Sequence, residues 1–241
     1  MPADLYHILF QDHLLQKHSA NPVARISTEQ IWPSLFLLFC LILLVLVKLR
    51  SFPKVVKIIQ STFSLQALHQ LEREELNPFR FYSLSLNLFF MLNLSFLLYK
   101  LNSMYKFILV TSFSLNQFLF FFSIILLLFG FKAVVNRALA HFTNERKIIS
   151  EYAINSLFIN QTFGLLLFPW IILMEWSRFN PFIFVSAALI VLGSSVLLKW
   201  YRGVIMGLVE ERIGLLQIFS YFCSLEILPV FVLVKYIIET F

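Results

Sequence analysis

The chain has 241 residues, of which 59% are hydrophobic, 17% aromatic and only 13% charged, with 29 phenylalanines and a formal net charge of +6. Soluble domains run at roughly 45–50% apolar and ~25% charged residues, and a globule of this size has too small an interior for so much apolar surface, so a water-soluble fold is excluded. Lys and Arg gather at the ends of the apolar blocks, where they orient spans and meet anionic headgroups, so the positive balance does not read as a nucleic-acid footprint.

The apolar blocks reach the ~20 residues that a helix needs to cross ~30 Å of hydrocarbon. Runs such as LFLLFCLILLVLV and FLFFFSIILLLFGF lack the alternation of a β-barrel strand. The fold class that follows is all-α: a polytopic bundle of about six transmembrane spans in a lipid bilayer, with an amphipathic interfacial helix between spans one and two. Cys40 and Cys223 lie inside apolar runs without CxxC spacing, and read as packing residues rather than disulfide or zinc partners.

Residues 1–30 form a polar tail or a short surface helix. His7, His13 and His18 fall there, but their spacing spreads them over different helical faces, which disfavours a metal site. The apolar run near Ile31 is too long for a cleavable leader and is expected to stay as the first span, 31–48, opening at Trp32 and Pro33 and closing at Lys48 and Arg50. Between 52 and 75, Val55, Ile58, Ile59, Phe63 and Leu68 interleave with Lys54, Lys57, Gln60 and Arg73. That pattern predicts an amphipathic helix on the membrane surface or against a partner.

Residues 81–241 are expected to hold five further spans. The second, 81–98, carries Asn87 and Asn93, suited to interhelical hydrogen bonds. The third starts at Phe107 or Phe113 and runs to about Phe131; the Asn116–Gln117 pair leaves a broken or re-entrant piece within 103–117 as the alternative. The fourth, 156–176, contains Asn160, Gln161, Gly164 and Pro169, and a short turn at 178–181 makes it a hairpin with the fifth, 182–198. The sixth, 213–238, holds Glu226 one turn before Pro229. No internal repeat of the inverted type is visible. Lys and Arg favour the first, third and fifth connections, so these are expected to be cytoplasmic and both termini periplasmic.

Glu226 is the sharpest single feature, because an acid at mid-span costs about 2.5–3.5 kcal/mol on insertion scales. One reading is a proton or cation relay; the other is a structural acid, neutral or bonded to another helix. Lys132, Lys199 and Arg202 are its candidate partners, each at the end of a span and able to reach inward. Gly203 and Gly207 stand at GxxxG spacing, which suits close packing inside the bundle or self-association as a homo-oligomer. Glu210–Glu211 and the His141/Glu145 pair do not make a metalloprotease, because HExxH, GxSxG and a Ser/Lys setting are missing. No catalytic residue, metal ligand or cofactor is therefore assigned.

Lys132, NQTFGLLLFP with Asn160, Gly164 and Pro169, Tyr201-Arg202-Gly203, and YFCSLEILP from Tyr221 to Pro229 together resemble a Bacteroidota family of integral membrane proteins described only as a domain of unknown function. The resemblance covers most of the chain after about residue 80 and implies an inner-membrane location in a double-membraned bacterium; it implies no activity. The expected role is a non-enzymatic inner-membrane subunit that scaffolds or assists a cell-envelope machine, with other envelope proteins meeting 52–75 and the bundle surface. The alternative is a small proton-coupled transporter or channel using Glu226, with Asn160, Gln161 and Arg202 along its path.

Overall fold

The computed structural model describes residues 31–64, 81–105, 114–142, 146–177 and 179–209. They form five helices and no strand: α1 (Ile31–Phe63), α2 (Phe81–Tyr105), α3 (Ser114–Phe142), α4 (Arg146–Trp176) and α5 (Pro181–Val209). Each contains a stretch long and apolar enough to cross a membrane, namely Ile31–Arg50, Phe81–Tyr105, Ser114–Ala138, Glu151–Trp176 and Pro181–Ile205. The chain is a multi-pass membrane protein. The tail 1–30 and the sixth predicted span, 213–238, lie outside the described residues.

The helices are longer than the apolar blocks suggest. Asn102 to Tyr105 belong to α2, and Ser114 to Gln117 already belong to α3, so of the doubtful stretch 103–117 only 106–113 lies outside the described residues. At the other hairpin, the Asn180 side-chain oxygen accepts from the Phe182 backbone N–H at 3.0 Å. Pro181 then occupies the first helical position, where its missing N–H costs nothing.

α2 and α4 form the centre. In each, 61% of the most apolar stretch is buried, against 22% in α1 and 17% in α3 and α5; α4 packs against α2, α3 and α5. α2 and α4 run parallel, since Ser83 bonds Gln161, Phe90 touches Gly164, Phe89 meets the Phe168 ring at 5.2 Å, and Lys100 pairs with Glu175. The outer helices turn apolar side chains outward, among them Leu127, Ile190 and Leu197, as lipid-facing surfaces do.

Two apolar clusters stack along the bundle. One joins Leu37, Cys40, Phe89, Phe96, Phe118, Leu167, Ile171 and Val185, and is finished by Trp32, whose ring lies 5.0 Å from Tyr99 and whose Nε1 donates to Ser114 Oγ at 2.7 Å. The other joins Val47, Ile58, Tyr82, Leu86, Ile154 and Phe158.

The second cluster shows what happens after the first span. A single helix covers residues 31–63 with Pro53 inside it, so of the separate surface helix expected over 52–75 the residues to 63 continue α1, and 65–75 lie outside the described residues. In a straight helix Val47 and Thr62 would stand about 22 Å apart along the axis. Yet Ile58 shares the cluster of Val47, and the Thr62 hydroxyl meets that of Thr162, one turn beyond Phe158, at 2.8 Å. α1 therefore bends at Pro53, which lacks the N–H of a normal helical turn, and its last ten residues turn against α4 between Ile154 and Thr162. Ile58, Ser61 and Thr62 are buried there, while Phe52, Lys57, Gln60 and Phe63 stay exposed.

A Cβ at position 164 would lie 2.9 Å from Phe90 Cβ and 3.1 Å from Phe90 Cα. Because the second contact is backbone, a rotamer change cannot relieve it. Gly164→Ala is expected to cost about 1–3 kcal/mol by overpacking, read as a lower thermal midpoint in detergent, whereas Gly193→Ala, with open space around its Cβ position, should leave the midpoint unchanged or raise it.

Candidate functional site

Where α1 crosses the bundle, its C-terminal turn presents a physical problem. The last carbonyls of a helix have no intrahelical donor, and here they are buried. Ser64 N–H supplies one bond, to Gln60 O at 3.0 Å. Arg202 of α5, itself only 4% exposed, supplies the next two: its Nη2 donates to Ser61 O at 2.7 Å and to Thr62 O at 2.5 Å, while Nη1 donates to Asn155 Oδ1 of α4 at 2.7 Å. A cation at the negative end of a helix dipole is electrostatically favoured, and the planar fork of guanidinium serves several acceptors at once.

The hydroxyls around this clamp are directed as well. Ser61 Oγ and Thr62 Oγ1 both donate back to Ile58 O, at 2.7 and 3.1 Å. Thr62 Oγ1 is thereby left as the acceptor for the Thr162 hydroxyl. Arg202, Ser61, Thr62, Asn155 and Thr162 thus tie α1, α4 and α5 together around residues 155–162 of α4.

A second polar line runs along the α2–α4 contact. Gln161 Nε2 donates to Ser83 O at 3.1 Å and to Ser83 Oγ at 2.8 Å; one turn on, Asn93 Nδ2 donates to Gly164 O at 3.3 Å. Lys132 reaches from α3 to Ser156 Oγ at 3.3 Å. Asn160 is buried between these levels. Among the described residues, Asn93 Oδ1, Asn160 Oδ1 and Gln161 Oε1 are buried without a hydrogen-bond partner, as is Asn155 Nδ2.

Of the residues that the sequence singles out, Lys132, Asn160, Gln161, Gly164 and Arg202 all stand on the buried sides of α3, α4 and α5 near this end. Gly203 is buried beside Arg202; Pro169 is exposed on α4; Gly207 lies in the last turn of α5. Glu226 and Pro229 lie outside the described residues, so the pairing expected for Glu226 has no counterpart in the geometry described. Ser61, Thr62, Ser83, Asn155 and Thr162 are partners that sequence reading passes over. The only hint of them was small hydroxyl and amide residues standing next to flagged ones, as Thr162 stands next to Gln161.

At the opposite end, Lys100 Nζ and Glu175 form an ion pair, and Lys100 also lies 5.9 Å from the Phe96 and Tyr99 ring centres. This pair is a second tie between α2 and α4. Among the described residues no group of His, Cys, Asp and Glu is placed to hold a metal ion.

The family model described as a domain of unknown function, DUF4271, matches residues 34–237, and the chain belongs to that family. No curated protein and no solved structure matches it.

Replacing Arg202 by Met keeps much of the stem's packing but removes the donor contacts to Asn155, Ser61 and Thr62. The carbonyls of Ser61 and Thr62 then become unsatisfied, at about 1–3 kcal/mol per buried group. The expected result is a large fall in thermal midpoint together with new proteolytic cleavage near Phe63. Arg202→Lys should recover only part of both, since an ammonium lacks the fork.

Proposed function

We propose that this member of the family is a non-enzymatic inner-membrane subunit that scaffolds or assists a cell-envelope machine of the secretion, export or motility type. The observation that carries this reading is the strut formed by the end of α1. Arg202 holds its inner side to α4 and α5, while its outer side leaves Lys57, Gln60 and Phe63 exposed in a row. A braced amphipathic segment at one end of the bundle is a rigid platform for a partner. Binding to a preorganised surface avoids the ordering cost that a loose tail would incur.

The finer topology belongs to the same proposal. Residues 213–238 form a sixth span, the strut lies on the cytoplasmic side where Lys48, Arg50, Lys54 and Lys57 collect, and both termini are periplasmic in a double-membraned cell of the Bacteroidota type. In a variant with Cys40 and Cys223 replaced, single cysteines at Ser19 and Ser177 should react with an impermeant maleimide from the periplasm. Labelling of either from the cytoplasm alone would reverse the topology.

One observation favours a second reading, a small proton-coupled transporter or channel: unpartnered amide oxygens of Asn93, Asn160 and Gln161 lie inside the central helix pair. Glu226 would be its titrating group.

The test of the first reading is gentle solubilisation of a C-terminally tagged chain from its native membrane, followed by identification of whatever co-purifies in stoichiometric amount. The expected outcome is a defined set of envelope proteins whose recovery drops when Lys57 and Gln60 are both changed to Glu. Recovery of a partnerless protein that moves a solute or protons in liposomes, and loses that ability on Glu226→Gln, would replace it with the second reading.

A further inference from the structure

The apolar stretch of α1 closes at Arg50 and that of α2 opens at Phe81. The two helices run antiparallel, since Trp32 meets Tyr99 and Arg50 meets Phe81, so both leave the hydrocarbon at one level. At that level Arg50 Cζ lies 5.3 Å from the Phe81 ring centre and Lys54 Nζ lies 4.8 Å from the Tyr82 ring centre. Arg50 and Lys54 stand one turn apart on α1, on one face, and Phe81 and Tyr82 are consecutive on α2. Two cations are therefore held side by side over two adjoining rings.

A ring face attracts a cation through its quadrupole but does not cancel its charge. Neither helix supplies a carboxylate to do so: residues 31–64 and 81–105 contain no Asp or Glu, and the two acids among the described residues, Glu151 and Glu175, are both on α4. Arg50 is exposed and Lys54 half-buried, so both heads can be approached from the membrane boundary. Towards the hydrocarbon the surface changes character. Leu46, one turn before Arg50, and Leu84, one turn after Phe81, are each 54% exposed and continue the same faces of α1 and α2 into the apolar layer.

Positive charge at headgroup depth with an apolar wall directly beneath it is complementary to one kind of molecule. A soluble anion would leave the apolar wall unused, and an acidic peptide would have to sink to the depth of the headgroups. A phospholipid carries its phosphate at that depth and its chains below, and basic pockets between spans recognise such headgroups. The planar guanidinium of Arg50 is suited to phosphate oxygens, to which it can donate two parallel bonds.

We propose that Arg50 and Lys54, framed by Phe81, Tyr82, Leu46 and Leu84, bind one anionic phospholipid, with its phosphate beside the two cations and an acyl chain along the two leucines. This goes beyond the scaffold role and does not depend on it, because the platform face consists of Lys57, Gln60 and Phe63.

Native mass spectrometry of the purified full chain tests the proposal, with phosphatidylglycerol and phosphatidylcholine of identical chains supplied together. Wild-type protein should retain one phosphatidylglycerol in preference to phosphatidylcholine. Arg50→Gln and Lys54→Gln should each weaken that retention about fivefold, as expected for one cation near a charged surface. Lys48→Gln is the control: Lys48 is an exposed cation at the same end of the span, but two residues from Arg50 and so on another helical face, and its loss should leave retention unchanged. An equal fall in Lys48→Gln and Arg50→Gln would mean diffuse attraction to a charged helix end and would overturn the site. Displacement of the lipid by millimolar inorganic phosphate would overturn it in favour of a soluble anion. Absence of any preference in the wild-type chain, which is also the result expected if the patch serves an acidic protein partner, overturns it without reference to the folding of any variant.

Discussion

The close approach of α2 and α4 at Gly164 sets the geometry on which the other helices depend. With only hydrogen at position 164, the two axes come near enough for the Phe90 backbone to lie within touching distance of α4. In lipid no hydrophobic drive holds helices together, so association depends on close packing and on polar bonds between them. Gly164 supplies the first and, through its carbonyl, receives one of the second from Asn93. Gln161 with Ser83 and Lys100 with Glu175 extend the tie on either side of that point. The parallel pair so formed is a spine; α3 and α5 pack on α4 and keep one face for lipid.

Arg202 solves a different problem. A proline bend turns the end of α1 across the bundle and thereby buries carbonyls that would otherwise meet water. Bringing a guanidinium in with them is costly in isolation, but each acceptor is a neutral dipole already aligned by the helix, and the charge sits at the favourable end. The result is mutual: α1 cannot end there without Arg202, and Arg202 cannot be buried without the helix end. Lys would be a poor substitute, since one point of charge cannot serve carbonyls on α1 and an amide on α4 at the separations seen.

How much of this could be read beforehand depends on the length scale of each signal. The helical spans are legible because twenty apolar residues in a row have one physical meaning in this composition. Gly164, Asn160, Gln161 and Arg202 stand out because glycine, amides and charge are expensive or unusual within such runs. Their partners do not stand out: Ser61, Thr62 and Thr162 are ordinary residues in a span, and only the bend at Pro53 brings residue 62 to residue 162. The amphipathic pattern after residue 52 was visible, yet its polar and apolar sides did not tell which would be buried. Ile58 is inside with Ser61 and Thr62, and Phe52 and Phe63 are outside with Lys57 and Gln60, because the inward face meets an arginine and a threonine as well as the apolar cluster.

In the clamp nearly every hydrogen bond is closed within the protein, which makes it rigid and suited to holding a surface in place. Along the α2–α4 contact the amide nitrogens of Asn93 and Gln161 bond Gly164 O and both oxygens of Ser83, while their amide oxygens meet no donor among the described residues. Asn155, on α4 like Gln161, has its oxygen on Arg202 and its nitrogen unmet. Both polar systems share α4, so a displacement of α4 against α2 would also act on Arg202 through Asn155.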